Sequence, residues 1–285
     1  MATQAPGMND PDLGMGRALL AHEQRDRLMM TLRVGVIWFM LLAIVTVGLL
    51  VVQFDLLYVL SHFNVVLTGL GYTLLVSFAS VALASILAFL GALGRLSRNS
   101  IANGMAGFYV SLVRGTPLLI QVYIIYFALP RIGTYLNAHD LRFFGQFFIL
   151  PAIPSGILAL GVNYGAYMTE IFRAGIQSTA HGQWEAAQSI GMTSWQTMRR
   201  VILPQAVRII IPDIGNQFIA MQKDSSLVSF LGVWEMTYLA REYGKNDSKF
   251  LEMLLVAALV YWALTIISSY LQQRLERSMA HAYER

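Results

Sequence analysis

The chain has no cysteine, and its five histidines, His22, His62, His139, His181 and His281, are scattered singly. Disulfides and thiolate metal sites are therefore excluded, and no histidine pair has the spacing of a metal site. Charge is scarce as well. Only 13% of the 285 residues are Asp, Glu, Lys or Arg, against 56% hydrophobic, which leaves too little polar surface for an ordinary globular protein of this length. A Gly-x-x-x-x-Gly-Lys-Ser/Thr phosphate loop is missing, since Gly244-Lys245 lacks both the upstream glycine and the following hydroxyl residue. The chain cannot supply an ATPase, and no cofactor is expected. The net charge of +4 comes from basic residues that flank apolar runs and form no stripe with interleaved aromatics. Nucleic acid is thus excluded as a partner, and membrane lipids with anionic headgroups account for the charge.

What the sequence has in place of charge is long apolar runs. The run 34–52 is uncharged, and about 19 residues at 1.5 Å each cross a ~30 Å hydrocarbon core. It follows Arg17, Arg25, Arg27 and Arg33, yet no small-x-small cleavage site succeeds it at Gln53-Phe54-Asp55, so it reads as an uncleaved span. Further runs at 65–93, 108–129, 153–172, 209 to about 221, and 253–270 bring the expected number of membrane helices to six. With the N-terminus in the cytoplasm, Arg95, Arg98, Arg173, Arg199, Arg200, Arg208, Arg274, Arg277 and Arg285 lie inside with the N-terminal arginines, against Arg131, Arg142, Arg241, Lys245 and Lys249 outside. The positive-inside rule favours that orientation, with both termini cytoplasmic. The expected organisation is a cytoplasmic tail 1–33, mobile to about residue 16, an extra helix 34–52, a transmembrane domain 64–272 and a cytoplasmic tail 273–285.

Between the fourth and fifth runs lies a polar loop, 181–204. Gly182 to Ile190 reads as a short helix, thin on one side at Ala186 and Ala187, and Gly191 can take the left-handed conformation that ends it. A second short helix is expected from Ser194, capped by the Ser194 side chain, before the chain turns back into apolar residues at Val201. Helix, glycine elbow and helix make a rigid knob.

The pattern Glu185-Ala186-Ala187, three residues, Gly191, nine residues, Val201, one residue, Leu203-Pro204 resembles the coupling loop of permease subunits of ATP-binding-cassette (ABC) importers, with Val201 where isoleucine is usual. Arg114 to Gln121, Gly165 to Arg173, Asn216 to Ala220 and Lys223 to Leu227 resemble the polar amino acid branch of that family. The resemblance implies an all-α membrane protein, a type I ABC importer transmembrane domain of about six transmembrane helices with a cytoplasmic coupling helix. It implies location in the cytoplasmic (inner) membrane of a bacterium. It also implies three kinds of partner: cytoplasmic ABC ATPase subunits docked on Glu185, Ala186, Ala187 and Gly191, a second permease subunit, identical or paralogous, and an extracytoplasmic amino-acid-binding protein.

Polar residues inside apolar runs are costly unless they face protein or water. Asp213, Gln217, Ala220 and Asp224 share one helical face, with Asn216 and Lys223 on an adjoining one. A water-filled substrate pathway or inter-helix hydrogen bonding would explain them. Gln121, Asn163 and Glu170 are further polar residues within runs. Glu170 is the candidate for a substrate ammonium group, unless it only neutralises Arg173 three residues on; Asn216, Gln217 and Lys223 are candidates for the carboxylate. Arg114 reads as a snorkelling residue at the cytoplasmic interface, and Pro130-Arg131 as a helix exit. The strip Ser80, Ala84, Ala88 and Ala92 suits close packing within the subunit or across a permease dimer. Two other functions stay open from the residues alone: an ion-coupled secondary transporter with Glu170 or Asp213 titrating, and a non-transporting membrane scaffold.

Overall fold

The computed structural model describes residues 11–51, 53–179 and 181–281, and no strand occurs among them. The helices in chain order are α1 (Pro11–Val51), α2 (Leu56–Thr68), α3 (Leu70–Leu96), α4 (Ser100–Arg114), α5 (Leu118–Ala138), α6 (Arg142–Gly145), α7 (Ala152–Gln177), α8 (His181–Ser189), α9 (Ser194–Thr197), α10 (Leu203–Asp224), α11 (Met236–Asn246) and α12 (Phe250–His281). Short 3-10 turns follow α6 and α10, and a π turn, Met198–Ile202, joins α9 to α10.

The chain divides into two compact units, residues 1–55 and 56–285. In the first, α1 is one unbroken helix of 41 residues, about 62 Å long. The apolar run at 34–52 is only its second half. The expected mobile tail is thus helical from Pro11 onward, and residues 1–10 lie outside the described residues.

In the second unit α3 and α7 form the packing axis. Ser80, Ala84, Ala88 and Ala92 are all fully buried, and Ser80 Oγ lies 3.4 Å from the Ile157 carbonyl of α7. On the α7 side, a Cβ at Gly161 would collide with Leu83, and one at Gly165 with Leu87 and Tyr109. Small residues on both helices let their backbones approach closely where no hydrophobic force drives association. The strip therefore serves packing inside one subunit.

Among the described residues, four helical stretches are long and apolar enough to cross a membrane: Arg25–Gly48, Leu56–Leu96 (α2 and α3 together), Leu118–Ala138 and Phe250–Met279. A fifth is added if Arg142–Phe148 and Ala152–Gln177, bent by 76°, count as one. The sixth expected helix, α10, is too polar to pass on composition, yet it runs antiparallel to α7: Ile210 meets Gly175 and Asp224 bonds Tyr164, and beyond α10 Val228 meets Gly156.

The run 108–129 is not one helix. Asn99 starts α4 by accepting hydrogen bonds from the Ile101 and Ala102 amides. The helix stops at Arg114 because Pro117 pushes Thr116 out of helical geometry and lacks an N–H, and α5 starts afresh from Pro117. Nor does Pro130 end α5, which continues to Ala138.

Toward the C-terminus, fully buried Glu235 caps α11 by accepting from the Tyr238 amide at 2.7 Å and takes a 2.5 Å hydrogen bond from Tyr261 of α12. The tail expected from 273 is a continuation of α12 as far as His281.

Candidate permease pathway and coupling hairpin

The break between α4 and α5 opens onto a cavity of about 330 Å³ lined by Thr116, Pro117, Leu118, Asn163, Tyr164, Tyr167, Gln217 and Asp224. Its walls are tied together by polar contacts. Gln121 Nε2 donates to the Val113 carbonyl at 2.7 Å, stitching α5 back onto α4, while its Oε1 accepts from Asn163 Nδ2 at 3.0 Å. Tyr164 donates to Asp224 Oδ2 at 2.7 Å. A second cavity, about 560 Å³, lies toward the C-terminal half of α7 and includes Arg114, Tyr167, Glu170, Ala174, Ile209, Asp213 and Gln217 in its wall. Tyr167 and Gln217 line both.

The polar face expected on α10 is real: Asp213, Gln217 and Asp224 all turn toward these cavities. Asn216 and Lys223 are exposed and line neither. Arg114 is more than an interfacial residue. Its guanidinium lies 5.1 Å from the centre of the Tyr167 ring, beside the second cavity. Tyr164 and Tyr167 do not stand out as pathway residues in sequence, because aromatic residues in an apolar run look like lipid-facing or core residues; their polar roles become visible only beside Asp224 and Arg114.

Glu170 is more occupied than expected. One oxygen accepts from Arg173 Nε at 2.7 Å, the neighbour three residues on, and the other from Arg95 Nε of α3 at 3.3 Å. Arg95 is in turn fixed by Asn103, whose Nδ2 donates to the Arg95 carbonyl at 2.7 Å. With a guanidinium on each oxygen, Glu170 is a poor free acceptor for an ammonium group, and it closes the charged end of the cavity instead.

Beyond α7 the chain enters the hairpin. Helix α8 ends in a Schellman turn: the Met192 amide donates to the Ala187 carbonyl at 3.1 Å and the Gly191 amide to the Gln188 carbonyl at 2.9 Å, with Gly191 at φ +82°. The next helix is capped by Thr193, not Ser194. Thr193 Oγ1 accepts from the Gln196 amide while Gln196 Oε1 accepts from the Thr193 amide, a reciprocal capping box. The second limb is also longer than a knob requires, since α9 passes through the π turn directly into α10. Trp184 packs against the cluster Ile176, Ile202, Ala206 and Ile210, which fixes the hairpin on the bases of α7 and α10. Glu185 and Ala186 stay exposed and Ala187 is buried; Ile190 is 79% and Trp195 66% exposed, two apolar residues held outward on a polar loop.

The chain matches the family model described as binding-protein-dependent transport system inner membrane component over residues 80–281. It belongs to that family. Among curated relatives, it is 37% identical over 220 residues to the L-cystine transport system permease protein TcyB of Bacillus subtilis, covering 77% of this chain and 88% of that protein. It is 33% identical over 227 residues to the glutamine transport system permease protein GlnP of Escherichia coli, covering 80% and 98%. Among solved structures it resembles a crystal structure of an amino acid ABC transporter with histidines, at 34% identity and TM-score 0.67, covering 79% of this chain and 98% of that one. A methionine ABC transporter in inward-facing form shares the fold, with TM-score 0.61 at 17% identity. The chain is thus a membrane-spanning permease of an ABC importer rather than an ion-coupled carrier, and the Glu185 to Gly191 hairpin lies within the family match.

Proposed function

We propose that this permease translocates a polar amino acid across the bacterial inner membrane, driven by ATP hydrolysis in separate ATPase subunits. The observation that carries the reading is the pair of adjacent cavities beside the α4–α5 break, which share Tyr167 and Gln217 in their walls and have Arg114, Asp213 and Asp224 among their lining residues. A zwitterion needs a cation for its carboxylate and an anion for its ammonium group, in surroundings dry enough for the pairing to matter. Arg114 suits the first role, helped by Gln217 and by Asn163, itself held by Gln121. Asp213 and Asp224 suit the second, in place of Glu170. Relatives whose names include glutamine and L-cystine support the substrate class.

In this reading the exposed Glu185, Ala186 and outward apolar residues of the hairpin seat in a groove of an ATPase subunit, with Gly191 setting the angle between the two limbs. A second permease subunit completes the pathway, a binding protein delivers substrate at the opposite face, and both termini are cytoplasmic. Closure of the ATPases moves the hairpin; because α9 runs into α10 without a loop, the displacement passes straight to the helix that carries Asp213, Gln217 and Asp224. That is rigid-body alternating access.

The test is uptake by vesicles holding the complete complex and its binding protein. ATP-dependent accumulation of a polar amino acid, insensitive to collapse of proton and sodium gradients, is the expected result. Accumulation that follows an ion gradient without ATP would overturn the proposal.

A further inference from the structure

The connection from α5 to α7 is not a loop but a fixed elbow. Asp140, at φ +61°, turns the chain out of α5. Helix α6 and the 3-10 turn Gln146–Phe148 then lie at 76° to α7. The elbow is clamped to α5 where two glycines meet, since a Cβ on Gly133 would sit 2.6 Å from the Gly145 carbonyl oxygen. With that face anchored, Phe143, Phe144 and Phe147 point away from the protein, 66%, 57% and 61% exposed.

The height of this element along the bundle is set by α7. From Ala152, just past the elbow, to Arg173, which with Arg95 clasps Glu170, is a rise of about 32 Å at 1.5 Å per residue. That matches a hydrocarbon core of ~30 Å. If the arginine pair marks one membrane boundary, the elbow lies at the other, running along the plane of the bilayer. On α5 the side chains of Ile124, Phe127 and Tyr135, which share one helical face, are exposed as well. Exposed Trp234 and Tyr72 cluster at this same end, beside Pro151 and Ile153, as aromatic residues do at a bilayer interface.

We propose that the elbow from Leu141 to Ile149 is an interfacial anchor, whose partner is the phospholipid surface at the end of the bundle opposite the hairpin, with Phe143, Phe144 and Phe147 inserted at the headgroup–acyl boundary. It fixes the height of α5 and α7 in the membrane, giving α10 a stationary wall to move against.

The lack of native cysteine makes the test direct. Phe147→Cys in the full chain, purified with its ATPase subunits, is spin-labelled and reconstituted in phosphatidylcholine–phosphatidylglycerol vesicles. Collision with oxygen, which concentrates in lipid, and with a water-soluble nickel chelate is then measured. Oxygen accessibility above nickel accessibility is expected. The reverse would put the elbow in water, and protection from both would mean that a protein partner covers it; either overturns the anchor. Phe143→Cys provides the same measurement if the first variant fails to assemble.

Discussion

Helices α1 and α10 solve the membrane problem in opposite ways. From Arg25 to Gly48, no side chain of α1 is buried. Helix α10 places Asp213, Asn216, Gln217, Lys223 and Asp224 on its surface and still packs along α7 and α12. Its stability comes from contacts that lipid cannot supply: Tyr164 donating to Asp224, Gln272 donating to the Pro212 carbonyl at 2.7 Å, and Ser268 donating to Gln222 at 3.0 Å. Helix α1 lies outside the family match, which begins at residue 80, whereas α10 lies inside it. A helix that needs only hydrocarbon can have almost any apolar sequence. One that needs partners has its sequence dictated by them, and mutations should separate the two.

The largest effect is expected where α10 receives its input. Gly191→Val puts a β-branched residue at φ +82°, a conformation costing on the order of 1–3 kcal/mol, and the Schellman turn must open or shift. Uptake and substrate-stimulated ATPase activity should be lost while the chain remains in the membrane. Normal stimulation in the reconstituted complex would break the link between hairpin and α10.

Next in size is Asp224→Asn. It retains an acceptor for Tyr164 and removes the charge, so folding should survive while uptake falls about tenfold, the equivalent of ~1.4 kcal/mol. Arg114→Gln should act similarly through the other end of the substrate. If both variants keep wild-type uptake, the cavities are hydrogen-bonded packing and not a pathway.

A smaller loss is expected for Glu170→Gln. Its carboxylate bridges Arg95 and Arg173 at a partly exposed site, where each ion pair contributes about 1 kcal/mol or less. The Glu170→Arg, Arg173→Glu exchange cannot restore the bridge, because Arg95 would then face an arginine. Full recovery in that exchange would reduce Glu170 to a partner of Arg173 alone.

The same contrast explains what was legible in the sequence. The α8 boundaries, the positive φ of Gly191 and the common face of Asp213, Gln217 and Asp224 follow from spacing over a few residues, so they could be read directly. The strip from Ser80 to Ala92 announced close packing, but its partner needed the tertiary structure. Contacts between distant residues left no local trace: Arg95 with Glu170 is a pairing across 75 positions, and nothing near Arg114 signals Tyr167. The α4–α5 break is written as Gly115-Thr116-Pro117 but does not stand out from the run 108–129, because a proline one residue before a helix and a proline in its first turn look alike in sequence. Thr193 and Ser194 share cap chemistry, and only the reciprocal bond with Gln196 makes Thr193 the cap.

The smallest effect, and the sharpest test of the contrast, is expected in α1. Replacing the apolar residues between Val34 and Val51 with an equal length of leucine and alanine, keeping Arg25, Arg27 and Arg33, preserves the hydrophobic thickness and the basic flank that orient a span. None of the replaced side chains described is buried, so no cavity forms and no polar group loses a partner; substitutions free of such features usually stay within about 0.5 kcal/mol. Uptake should match wild type. Replacing every residue of α10 from Ile209 to Met221 with leucine and alanine removes Asp213, Asn216 and Gln217 as well and should abolish uptake. Loss of uptake in the α1 variant at normal membrane levels would show that α1, too, has a partner that reads its side chains.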